Sequence, residues 1–156
     1  MIEDPHFSLE LDEFWQRLPE EAGEQYDFRD DARDIVITLS AVSIDITPDS
    51  VDQFARLLID MRMQAEHDAA LAFGLNVTLY EPIVMPFTWG RAVVYYGHDD
   101  NDRQFSYSGI VTRGSLINLY MSTGRLSQQQ LLEAMDEIGT RIVFDHTPLD
   151  GKHGLN

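Results

Sequence analysis

Apolar and polar residues alternate along Phe7-Ser8-Leu9-Glu10-Leu11, the period of an extended strand. A polar, proline-containing stretch follows from Gln16 to Gly23, and Gln25 to Asp30 predicts a second strand. After the acidic turn Asp30-Asp31, the run Ile35-Val36-Ile37-Thr38-Leu39-Ser40-Ala41 is rich in β-branched residues and predicts a third. The period then changes. Val51, Phe54, Leu58, Met61, Ala65 and Ala69 recur at spacings of three and four, the stripe of an amphipathic helix. Its start is marked by Thr47-Pro48-Asp49-Ser50, which offers a capping hydroxyl, a proline for the first turn and an acid at the positive end of the helix dipole. A capping box of Ser50 with Gln53 is the alternative start, and Gly74 is the predicted stop.

Four further strands are predicted: Leu75 to Tyr80, Arg91 to Gly97, Gln104 to Val111 and Leu116 to Met121. The polar segment His98 to Asp102 turns one into the next, as does Arg113-Gly114. Pro82 and Pro86 interrupt the connection that leads to Trp89, which places an edge or a bend there. Ser127 with Gln130 is a capping-box pattern, and Leu131, Met135, Ile138 and Ile142 supply the stripe of a second helix. The order is βββαββββα. Strands joined by short turns are antiparallel. The predicted fold is therefore an α+β two-layer sandwich, with an antiparallel sheet of six or seven strands packed on two helices. Residues 1–156 read as one domain, with an ordered core from about residue 6 to 146 and a flexible tail at 147–156.

Alternation also assigns faces. Ile35, Ile37, Leu39, Val77, Leu79, Ile117, Leu119 and Met121 are expected to face both helices. Thr38, Ser40, Thr78, Tyr80, Asn118 and Tyr120, with Tyr95 or Tyr96, are then expected on an open face. Such a surface suits a protein partner, because tyrosine joins apolar area to a polar tip. Tyr80, Tyr95, Asn118 and Tyr120 are the expected contacts, with Trp89 as an anchor at the end of the proline-containing loop.

Composition narrows the chemistry. With 44% apolar residues in 156, the chain can bury a core without metal or disulfide. It has no cysteine, which excludes thiol catalysis and disulfides and favours a cytoplasmic setting. The opening Met1-Ile2-Glu3-Asp4-Pro5 does not have the pattern of a signal peptide. A net charge of -16 disfavours nucleic acid and anionic membranes and favours a basic protein partner. The cluster Asp99-Asp100-Asn101-Asp102 breaks the calcium-loop pattern at Arg103 and reads as a solvated turn. His6, His67, His98, His146 and His153 lack the paired helical spacing of a zinc site, and no nucleophile elbow or phosphate loop is present. No metal or cofactor is expected.

The element order resembles the PsbP-like fold, named for an extrinsic subunit of photosystem II. The matching features run from Phe7 to Phe144. They are the Phe7-Ser8-Leu9 strand, Trp15 after it, the long helix from Thr47, the strand block, and a last helix ending at Ile142-Val143-Phe144. That family also has a Ran-GTPase-binding branch and bacterial adaptor chaperones for type VI secretion effectors. Unlike the photosynthetic members, this chain is not expected to carry a transit peptide. The resemblance implies a role in binding proteins and carries over no catalytic residue. The expected function is a non-catalytic bacterial protein-binding domain, a chaperone or immunity-type partner of another protein. Two rivals are a small-molecule or hydrolytic domain with a pocket closed by the Glu81–Trp89 loop, and a homo-oligomer joined through the sheet face.

Overall fold

The computed structural model describes residues 1–18 and 25–150 of the chain. In order, the elements are β1 (Ile2–Glu3), β2 (Phe7–Leu9), β3 (Gln16–Arg17), β4 (Gln25–Asp30), β5 (Ile35–Ser43), α1 (Val51–Ala72), β6 (Val77–Leu79), β7 (Ile83–Phe87), β8 (Gly90–Asp99), β9 (Gln104–Val111), β10 (Ser115–Thr123), α2 (Gln128–Arg141) and β11 (Val143–Phe144). The main sheet has eight strands in the order β3-β4-β5-β10-β9-β8-β6, with β7 also on β8. Every pairing in it is antiparallel. The opening strand β2 is not part of it. It joins β1 and β11 in a separate three-stranded sheet that ties the two ends of the chain together.

β8 is long enough to hold two partners on one edge: β6 pairs with its residues 97–99 and β7 with residues 90–94. The segment expected to be a loop over the sheet is therefore a strand, β7, which turns into β8 through Thr88-Trp89. Proline stops strands inside a sheet because it lacks an N–H, but an edge strand tolerates it. Pro86 sits on such an edge, paired with Arg91.

Register decides the layers. Residues directly opposite one another in antiparallel strands share a face. Ile35, Ile37, Leu39, Ile117, Leu119 and Met121 point to one side, where Leu131, Ala134, Met135 and Ile138 of α2 meet them, with Phe7, Leu9, Trp15 and Phe28. Val93, Tyr95, Phe105, Tyr107, Val111 and Leu116 point to the other, against Val51, Ala55 and Ile59 of α1. The antiparallel sheet and its two helices form the expected α+β sandwich, but the helices lie on opposite faces instead of sharing one. Both faces of β8, β9 and β10 carry apolar side chains, so one covered face would leave the other wet. Each fully buried aliphatic chain in these two clusters stabilises the fold by roughly 2 kcal/mol.

The α1 stripe is rotated from its predicted position, and Met61 is 70% exposed. A 3-10 turn, Pro48–Ser50, precedes α1. Neither predicted cap is formed there, because the Thr47 and Ser50 hydroxyls bond to each other at 2.9 Å. Gly74, at φ 73°, ends the helix as expected. The α2 capping box of Ser127 and Gln130 is present in both directions. Packing extends past the anticipated core bounds at both ends: Ile2 is buried, and Leu149 packs on the α1 cluster. The remainder of the predicted tail, residues 151–156, and residues 19–24 lie outside the described residues.

Two glycines bracket the fold's tolerance. A Cβ on Gly90 would fall on the Val111 carbonyl oxygen, a backbone atom that cannot swing aside, and its φ of 156° disfavours any side chain. Gly90→Ala should destabilise the protein by roughly 3 kcal/mol or more in urea unfolding. A Cβ on Gly139 of α2 meets open space, so Gly139→Ala should stabilise by about 0.5–1 kcal/mol in the same measurement. Equal effects from the two would contradict the packing described.

Candidate functional site

Each helix covers only part of its face. α1 lies along β8, and α2 lies over β9 and β10. Two half-faces are left open, at opposite ends of the sheet and on opposite sides. The sequence-predicted contact residues are divided between them.

Tyr80 and Trp89 belong to the α2 side. There β7 presents Ile83, Met85 and Phe87 opposite Val94, Ala92 and Gly90 of β8. Tyr80 is 38% exposed, Ile83 48%, Met85 37% and Phe87 44%. Tyr80 stacks on Tyr96 with ring centroids 5.1 Å apart. Phe87 stacks on Trp89 at 4.8 Å, and the other side of Trp89 meets Phe144 and His146 edge-on. The result is a strip of aromatic and aliphatic side chains from Tyr80 to Trp89 that neither α1 nor α2 covers. Ile83, Met85 and Phe87 are not among the contacts expected from the sequence. Their alternation was legible, but Pro82 and Pro86 masked it.

Tyr95, Asn118 and Tyr120 belong to the α1 side, so they do not join Tyr80 on one surface. Val77 and Leu79 also face α1, because their partners Asp99 and Gly97 do. Tyr95 is fully buried and cannot be a partner contact. Its hydroxyl donates to Glu66 Oε1 at 2.7 Å. Tyr107 lies flat over Gly109, where a Cβ would come within 2.6 Å of its hydroxyl. That posture lets it donate to Asn118 Oδ1 on the next strand at 2.5 Å. Asn118 in turn donates to Ser40 Oγ. The Arg62 guanidinium sits 4.5 Å over the Tyr107 ring. Tyr120 is half-buried beside Glu66 and lines a cleft of about 350 Å³ with Thr38, Arg62, Ala65, Ala69 and Tyr95.

Other candidate chemistry is dispersed. Asp145 bonds to Thr147 and not to its neighbour His146. Asp99 accepts from the backbone N–H groups of Asn101 and Arg103, and Asp100 accepts from that of Asn76. Ser43 Oγ lies 2.9 Å from His6 Nε2, but Asp4 takes the His6 backbone N–H and does not orient the ring. No group of three metal-ligating side chains converges among the described residues. No helix among them is long and apolar enough to cross a membrane.

The buried tyrosines make alkaline stability a test of the α1 interface. Burial pushes Tyr107 up to about 12, against a neighbouring Arg62 that lowers it. Burial, then the Glu66 carboxylate, raise Tyr95 and Tyr120 as well. Unfolded tyrosine loses its proton near 10.0, so between that value and about 12 the folded state binds more protons than the unfolded one. Stability should be intact below pH ~10 and fall as pH rises, by on the order of 2–3 kcal/mol for Tyr107 alone. Phenolate absorbance followed against pH should show a late component that appears with unfolding and shrinks in each of Tyr95→Phe, Tyr107→Phe and Tyr120→Phe. Ionisation of all six tyrosines at ordinary pH with the fold intact would contradict the burial.

No protein-family model and no curated protein matches the chain. Solved structures do. The solution structure of cyanobacterial PsbP (CyanoP) from Synechocystis sp. PCC 6803 superposes with a TM-score of 0.66 at 15% identity, over 90% of this chain and 87% of that one. LpqN, described as involved in cell envelope biogenesis of Mycobacterium tuberculosis, matches at a TM-score of 0.47 and 20% identity, over 90% of this chain and 85% of that one. Likeness at such identity speaks to backbone arrangement alone. On that arrangement, anticipated from the order of elements, this chain has a PsbP-like fold.

Proposed function

We propose that this chain is a non-catalytic protein-binding domain whose partner docks on the open half of the α2 face. The observation that carries the reading is the exposed strip of Tyr80, Ile83, Met85 and Phe87, backed by half-buried Trp89 and Tyr96. Large aromatic and aliphatic side chains on a rigid sheet give contact area at little entropic cost, and contiguous exposed apolar surface of this kind marks interaction sites. Charge selects the partner's chemistry. Two copies of a chain at -16 repel each other, whereas a basic rim on a different protein is attracted. That weighs against the homo-oligomer. The edge itself is a poor place for a further strand, because Pro86 has no N–H to offer one. The partner therefore lies on the face. A chaperone or immunity-type role toward a bacterial effector is the concrete version, and its support is the resemblance of the element order to that branch.

The test is co-purification of the tagged protein from its native host at low and high salt, with mass spectrometry. One basic protein recovered in near-equal amount, and released by salt, is the expected result. In binding assays with that protein, Tyr80→Ala and Phe87→Ala should each weaken affinity tenfold or more. Leu57→Ala, on the outer side of α1, should leave it unchanged. Recovery of no partner under either condition, or equal affinity for all three variants, would sink the reading.

A further inference from the structure

The sheet-facing stripe of α1 changes character halfway along. Its first half is apolar and buried: Val51, Ala55 and Ile59. One turn on, the same stripe presents Arg62 and Glu66 to three tyrosines. Aliphatic residues there would fill the interface at least as stably, since ionic groups under a helix lose hydration. A local rule broken in this way is the mark of a functional position. Moreover, the two charges stand one turn apart and do not pair with each other. Arg62 lies over the Tyr107 ring, while Glu66 accepts from Tyr95. Arg62 Nε is buried and has no hydrogen-bond partner among the described residues. Ala65 and Ala69 are too small to close the space beside them, and the cleft of about 350 Å³ results. Half-buried Tyr120 supplies an aromatic wall, Tyr95 lies buried in the floor behind Glu66, and Thr38 supplies a hydroxyl. A second hollow of about 210 Å³ continues past Glu66, Ala69 and Tyr120, with Phe73, Leu75, Val77 and Phe105 on its apolar side and Asp99, Arg103 and Ser122 on its polar side. These volumes suit a small ligand.

We infer that this cleft binds a free amino acid with an apolar or aromatic side chain. Its ammonium group pairs with Glu66, beside the Tyr95 and Tyr120 hydroxyls, and its carboxylate with Arg62, supplying to each charge the counter-charge that the helix withholds. The side chain runs over Tyr120 into the second hollow. Such a zwitterion has no net charge, so the field of a chain at -16 does not exclude it as it would exclude a simple anion. The inference is independent of the proposed protein-docking strip, which lies on the other face.

Heteronuclear NMR of the isotope-labelled protein tests it, with L-phenylalanine and L-leucine as probes. The expected result is saturable shifts confined to residues around 38, 62–69, 95 and 120. Phenethylamine, which lacks the carboxylate, and 3-phenylpropionate, which lacks the ammonium, should each bind at least tenfold more weakly. Ala69→Leu should fill the cleft and abolish the shifts while its spectrum remains that of a folded protein. Glu66→Gln and Arg62→Met should each weaken L-phenylalanine tenfold or more, but only Arg62→Met should leave phenethylamine unaffected. No shift with either amino acid at millimolar concentration would overturn the inference. So would binding of either singly charged analogue as tight as that of L-phenylalanine, or unaltered binding in Ala69→Leu.

Discussion

The structure depends on burying both faces of one antiparallel sheet with two helices and, on the α2 face, the small β1-β2-β11 sheet. β10 shows the constraint most plainly. Its Ile117, Leu119 and Met121 go under α2, while Leu116 goes with the α1 cluster and Tyr120 packs against that cluster from its margin. A helix covers the width of about two strands, since strands lie some 4.8 Å apart and a helix with its side chains is roughly 10 Å across. Eight strands offer more surface than that on each side. The helices are therefore offset, α1 along β8 near one end of the sheet and α2 over β9 and β10 on the other face, and every accessible feature of functional interest lies where one of them stops.

The two open half-faces differ in chemistry because of what alternation puts there. On the α1 side, β4 and β5 turn out Asp27, Thr38 and Ser40, which bond to one another or to Asn118 across the strands. On the α2 side, β7 and β8 turn out Ile83, Met85, Phe87 and Tyr96. One surface is a polar lattice beside a cleft. The other is an apolar strip on an edge. A fold shared with CyanoP at 15% identity determines where such surfaces can form, not which residues occupy them.

Much of the fold was legible in the chain, and the reasons for the misses are physical. The faces of β5 and β10 followed from strict alternation at Ile35-Ile37-Leu39 and Ile117-Leu119-Met121. The caps of α2 followed from Ser127 and Gln130. The opposite placement of the helices did not emerge, although Ala92-Val93-Val94-Tyr95-Tyr96 carries its signal: an unbroken apolar run belongs to a strand with apolar contacts on both sides. β7 was hidden because proline reads as a breaker unless the strand is known to lie on an edge. Tyr80 changed sides for a related reason. Its neighbours Val77 and Leu79 were phased with the core of β5, but their register is set by β8. The cleft beneath α1 was not legible at all. Arg62 and Glu66 read as ordinary surface residues of an amphipathic helix until the sheet is placed under them.

The pairing of β5 with β10 has a consequence for how the chain is made. Ile35 waits for Thr123, and Phe7 and Ser8 wait for Phe144 and Val143. At about 5–20 residues per second on the ribosome, β5 is finished seconds before its neighbour β10 exists. Throughout that interval Ile35, Ile37 and Leu39 have neither β10 beside them nor α2 above them. The domain can close only when nearly all of it has left the exit tunnel. Its folding is thus a late, concerted event, governed by non-local contacts and slow for its size, and a message truncated anywhere before α2 yields a product with its main apolar surface open.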